Sequence, residues 1–134
     1  MSGDRYVLDT SAILTLIEDE PGAERVEQVL VEEEMLIPWV VLLEAVYITR
    51  QERGEAEAER RYALLKQLRA SIFWEADEPT LLTAARFKAD HRMSLADAMI
   101  AAFAARQGAV LLHKDPEYEP LAPSVRQECL PYKT

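Results

Sequence analysis

Tyr6-Val7-Leu8-Asp9-Thr10-Ser11-Ala12-Ile13-Leu14 is the stretch on which the fold turns. Three apolar residues make a short strand, and the next three, Asp9, Thr10 and Ser11, all suit a helix N-cap. The apolar run Ala12 to Ile17 then reads as a short helix. A strand that feeds a helix directly is the opening of a β-α-β unit, and the same alternation continues outward. Asp19-Glu20-Pro21-Gly22 breaks the first helix, and a second carries Ala23, Val26, Val29 and Leu30 on one face. Strands are expected at Met35-Leu36-Ile37, at Ser71-Ile72-Phe73-Trp74 and at Ala109-Val110-Leu111-Leu112. Between them lie a helix from Trp39 to Arg53 ended by Gly54, and a charged helix with Ala58, Tyr62, Leu65 and Leu68 at helical spacing. A helix begun by Pro79 follows, then one capped by Ser94 and ended by Gly108. Alternating strands and helices imply an α/β fold with a parallel sheet covered on both faces. A small edge strand is expected near Val125, in a proline-rich tail from Glu117 onward that is otherwise poorly determined.

The whole chain, 1–134, reads as one domain, because 134 residues, 49% of them apolar, can bury a real core. A single cysteine, Cys129, and the lack of a leader point to an intracellular, cytoplasmic home. The longest apolar runs, 36–43 and 98–105, fall short of the ~20 residues of a membrane span, so no membrane association is expected. A formal net charge of −9 excludes a broad basic face of the kind that wraps duplex DNA. The runs Glu32-Glu33-Glu34 and Glu55, Glu57, Glu59 read as solvated helix faces or ends.

Four carboxylates carry the chemistry. Asp9 and Asp115 stand at or just past the carboxyl ends of expected strands, the edge where open α/β sheets bind ligands. Either could be purely local, Asp9 as an N-cap and Asp115 as the first residue of an Asp-Pro turn. Glu44 sits among Val40, Val41, Leu42, Leu43, Ala45, Val46, Tyr47 and Ile48, so its charge calls for a cation, a metal or an arginine. Asp97 follows Ser94 by three residues, a capping-box spacing, at the start of a helix apolar all round. Glu117 either adds an oxygen ligand or faces solvent. Carboxylates converging on one strand edge repel one another unless a divalent cation neutralises them, and oxygen-only donors select Mg²⁺ or Mn²⁺. His91, His113 and Cys129 lack zinc-type spacing, and His113 reads as a strand-end or site-rim residue.

These residues resemble a known family. Val7-Leu8-Asp9-Thr10-Ser11-Ala12-Ile13-Leu14, Leu43-Glu44, Leu95-Ala96-Asp97-Ala98-x-Ile100-Ala101-Ala102 and Gly108-Ala109-Val110-Leu111-Leu112-x-x-Asp115-x-x-Tyr118 are similar to the motifs of PIN domains. Within that family they look like a VapC-type toxin of a toxin–antitoxin pair. The resemblance implies a three-layer domain with strand order 3-2-1-4-5. It implies a catalytic quartet of Asp9, Glu44, Asp97 and Asp115, with metal bound by Asp9, Asp97 and Asp115. Thr10, Ser11 and Glu117 would support them. Two positions depart from the family pattern: His113 stands where Thr or Ser is usual, and Tyr118 where Phe is usual.

The implied activity is a Mg²⁺- or Mn²⁺-dependent endoribonuclease that hydrolyses RNA phosphodiester bonds, with a cognate antitoxin protein and a second copy of the chain as partners. Lys114, Arg50, Arg53, Arg86, Lys88 and Arg92 are candidate phosphate contacts, and Trp39, Val40 and Tyr47, or the first two helices, candidate protein contacts. The alternatives are a catalytically silent binding module on the same scaffold and a PIN nuclease with an RNA-processing role outside toxin–antitoxin systems. Phosphotransfer through an aspartyl phosphate lacks the further acids it needs. Walker-type phosphate binding is excluded by glycines scattered at 3, 22, 54 and 108.

Overall fold

The structure, a computed structural model, describes residues 3–132. Its elements alternate as expected: β1 (Arg5–Leu8), α1 (Thr10–Ile17), α2 (Ala23–Glu32), β2 (Glu34–Pro38), α3 (Trp39–Arg53), α4 (Glu55–Lys66), β3 (Ser71–Phe73), α5 (Glu78–Asp90), α6 (Leu95–Gln107), β4 (Val110–His113) and β5 (Gln127–Cys129), with a 3₁₀ helix, Pro116–Leu121, before β5. All strand pairs are parallel, in the order β3-β2-β1-β4-β5, and helices flank the sheet to make a three-layer α/β domain.

The central strands explain why the sheet has no wet face. Val7, Leu8, Leu36, Ile37, Leu111 and Leu112 are all buried, so β1, β2 and β4 need cover on both sides. α1, α2, α3 and α6 all pack against the sheet, and in α6 the small side chains of Ala98, Ala101, Ala102 and Ala104 have no exposed surface. Gly108 ends α6 in the left-handed region at φ 61°, and its amide bonds to the carbonyls of Ala104 and Ala105. The chain turns there into β4.

Boundaries differ from expectation in the last third. β4 starts and ends one residue later, so His113 belongs to the strand. The edge strand expected near Val125 forms at Gln127–Cys129, and Val125 itself is a buried core residue just ahead of it. The tail is well structured, because Tyr118, Leu121, Val125 and Leu130 all reach the core. β3 stops at Phe73 and leaves Trp74 exposed. Among the described residues no helix is long and apolar enough to cross a membrane.

Candidate functional site

β1 lies between β2 and β4, so strand order reverses at the β1–β4 pair, and ligands of open α/β sheets bind outside the carboxyl ends of such strands. Leu8 pairs with Leu112, and the Asp9 amide donates to the Leu112 carbonyl at 3.2 Å. The loops that leave the two strands therefore start side by side. Ser11 fastens them: its hydroxyl accepts the Lys114 amide at 2.8 Å and shares its own proton between the Asp9 oxygens at 2.7 and 2.9 Å.

Asp9 serves as the N-cap of α1, with Oδ1 accepting the Ala12 amide at 2.9 Å, and only 2% of it is exposed. Burial pushes its carboxyl up to about 7, against the pull of the Ser11 and Ala12 hydrogen bonds, and the charges of Asp97 and Asp115 push the same way. Cap and site residue are here one side chain.

Glu44 projects from α3, half-buried, and accepts the Thr10 hydroxyl at 2.6 Å. None of the ion pairs among the described residues involves it. The two hydroxyls after Asp9 thus divide their work, Thr10 on Glu44 and Ser11 on Asp9.

Asp97 stands in the first turn of α6, where Ser94 caps the helix by accepting the Asp97 amide at 3.0 Å. Its half-buried carboxylate accepts the Tyr118 phenol at 3.0 Å. Burial raises it to about 6, the phenol bond opposes this, and Asp115 and Glu44 add to it. Asp115 caps the 3₁₀ helix, its Oδ1 accepting the Glu117 amide at 2.9 Å.

One carboxylate oxygen each from Asp97, Asp115 and Glu117 lie within 4.8 Å of one another. Glu117 is exposed and inside this group, so solvent and site are the same place for it. Asp9 lies outside the group, drawn back into the cap of α1, and Glu44 also stands outside it, with its charge felt at Asp97. Three close carboxylates backed by two more suit a hard divalent cation such as Mg²⁺ or Mn²⁺, and the group contains no nitrogen or sulfur ligand.

His113 is wholly buried rather than on the rim. Its ring contacts Tyr118 and Gln127, and burial holds its pKa below the usual imidazole value. Neither the Tyr118 phenol as a partner of Asp97 nor any role for Gln127 was foreseen from the sequence. A tyrosine three residues after Asp115 was the available signal for the first, because a buried hydroxyl requires an acceptor.

The basic residues are more occupied than expected. Arg50 pairs with Glu55 at 3.4 Å, Arg53 with Glu18 at 2.8 Å, and Lys114, its side chain 4% exposed, faces Glu20 at 3.7 Å. Arg86 lies over the Phe87 ring at 5.5 Å. Lys88 and Arg92 are exposed on or just after α5. Of the expected protein-contact residues, Val40 is core, whereas Tyr47 is exposed beside Leu43 on α3.

Known proteins share this fold. The VapBC2 complex of Rickettsia felis bound to promoter DNA matches with a TM-score of 0.78 at 14% identity, covering 95% of this chain and 99% of that one. The VapBC-1 complex of nontypeable Haemophilus influenzae matches at 0.73 and 21%, covering 93% and 97%. VapC20 of Mycobacterium tuberculosis, described as a sarcin–ricin loop cleaving toxin, matches at 0.71 and 16%, covering 94% and 99%. Identities this low make the likeness one of fold. Curated protein sequences gave no match. The family model of the PIN domain matches residues 6–122, and the chain belongs to the PIN domain family.

Proposed function

We propose that the protein is a Mg²⁺- or Mn²⁺-dependent endoribonuclease and the toxin of a toxin–antitoxin pair. The observation that carries the proposal is the convergence of Asp97, Asp115 and Glu117 within 4.8 Å at the end of the sheet where strand order reverses, with Asp9 and Glu44 beside them. A divalent cation bound there supplies Lewis acidity toward water and offsets the charge of a phosphodiester. The chain's own part is to hold the carboxylates. Thr10 fixes Glu44, Ser11 and the Ala12 amide fix Asp9, and the Glu117 amide fixes Asp115. In a protein of net charge −9, the cation is also what makes a polyanionic substrate tolerable at this edge.

RNA as substrate is supported by a toxin of this fold that is described as cleaving the sarcin–ricin loop. An antitoxin partner is supported by the likeness to chains of VapBC complexes. The surface supports protein partners: a groove of about 330 Å³ is lined by Pro38, Trp39, Leu81, Leu95, Met99 and Phe103. A second depression of about 300 Å³ opens between Trp39, Leu43, Tyr62 and Trp74. We assign these faces to a second copy of the chain and to the antitoxin, in a soluble cytoplasmic complex.

The test is RNA cleavage by the purified protein with Mg²⁺, wild type beside Asp97→Asn and Asp115→Asn, followed by mapping of the new 5′ ends. Both variants are expected to unfold cooperatively and to lose cleavage. Cleavage retained by either, or metal binding by the wild type without any cleavage, contradicts the assignment, and the second outcome favours a silent binding module.

A further inference from the structure

Tyr118 has no exposed surface, and its phenol donates to Asp97 Oδ1 at 3.0 Å. Its ring lies 4.9 Å from that of His113, tilted by 56°. His113 is equally buried, and its Nδ1 accepts the Asp115 amide at 3.1 Å. Nε2 must then carry the ring proton, which it donates to Gln127 Oε1 at 2.9 Å. Gln127 closes the circuit, donating from Nε2 to the Tyr118 carbonyl at 3.0 Å. One aromatic ring thus holds the side chain of Asp97, the other holds the backbone of Asp115, and β5 ties the His113 ring to the Tyr118 backbone through Gln127.

We propose that Tyr118 and His113 are positioning residues that set Asp97 and Asp115 for the divalent cation before it arrives; this rests on the metal-site reading above. Without a cation, carboxylates within 4.8 Å repel, and unrestrained side chains would turn apart. The phenol bond fixes the rotation of Asp97. The imidazole bond fixes the peptide from which Asp115 departs, and the Glu117 amide then fixes the Asp115 side chain. The ordering of two ligands is thereby completed on folding rather than on metal binding, which raises affinity without any added ligand. A phenylalanine at 118 would pack as well and hold nothing. The tyrosine hydroxyl is therefore the informative atom.

The experiment is Mn²⁺ titration by calorimetry of the full chain, with thermal unfolding as the fold control. Tyr118→Phe removes one oxygen and is expected to weaken Mn²⁺ binding by about 10-fold or more, with unfolding still cooperative. Two His113 variants separate positioning from packing, since both lose the ring stacked on Tyr118. His113→Asn keeps an acceptor where Nδ1 stood and is expected to bind Mn²⁺ within about threefold of wild type. His113→Gln keeps only the Nε2 donor and is expected to lose about 10-fold. Wild-type affinity in Tyr118→Phe, or equal losses in the two His113 variants, overturns the positioning role alone. No Mn²⁺ binding by the wild type overturns this role and the metal site together.

Discussion

Ser11 shows how much one small side chain can hold. Its hydroxyl joins the loop after β1 to the loop after β4 and supplies a hydrogen bond to the buried Asp9 carboxylate. Ser11→Ala leaves the Lys114 amide and an Asp9 oxygen short of a partner, at a cost of about 1–3 kcal/mol. A lowered midpoint in urea is the expected result, and an unchanged one would show that water replaces the hydroxyl. Thr10→Val tests the neighbouring bond, which holds Glu44 on a half-buried helix face. A loss of cleavage larger than the loss of stability is expected, measured by kcat and by denaturation on the same variant. At this scale much of the site was readable in advance. Asp9, Asp97 and Asp115 announced themselves by their places at strand ends and helix starts, and Glu44 by its apolar neighbours. Tyr118, His113 and Gln127 did not, because their roles depend on which buried donor meets which buried acceptor, and only the packed tail decides that.

α6 is the element on which the arrangement most depends. Its first turn carries Asp97, its Ala98, Ala101, Ala102 and Ala104 are fully buried, and Gly108 ends it just before β4 begins. Ala101→Leu inserts three carbons where no surface is exposed, and overpacking of this kind costs about 1–3 kcal/mol or more. Thermal unfolding should fall accordingly, whereas Leu95→Ala, at a side chain 64% exposed, should leave it nearly unchanged. Elements as regular as α3 and α6 were readable from caps and apolar runs, and α3 spans the residues expected of it. β5 was displaced by two residues because a three-residue edge strand has too few side chains to set its own register. The 3₁₀ helix at Pro116–Leu121 was missed because nothing local demands it beyond the Asp115 cap and the burial of Tyr118.

For the molecule as a whole, charge would couple folding to the proposed cation. Asp9 and Asp97, with carboxyls raised to about 7 and about 6, keep protons that an unfolded chain releases near 3.8. Through these two groups, stability is fullest below pH 3.8 and declines as pH rises toward 7. A divalent cation that takes the place of the protons reverses the decline, so stabilisation by Mg²⁺ should be small near pH ~5 and larger near pH ~8. Urea denaturation with and without Mg²⁺ at both pH values would check this, and equal increments would contradict it. The parallel sheet has a consequence of another kind. β1 is completed by β4, and Leu8 meets Leu112 only after more than three-quarters of the chain has been made. A ribosome must therefore release the segment carrying Asp97, Asp115 and Glu117 before Asp9 has neighbours to work with. A nascent chain stalled at α5 lacks the strand beside β1 and the three carboxylates that converge on the proposed metal site.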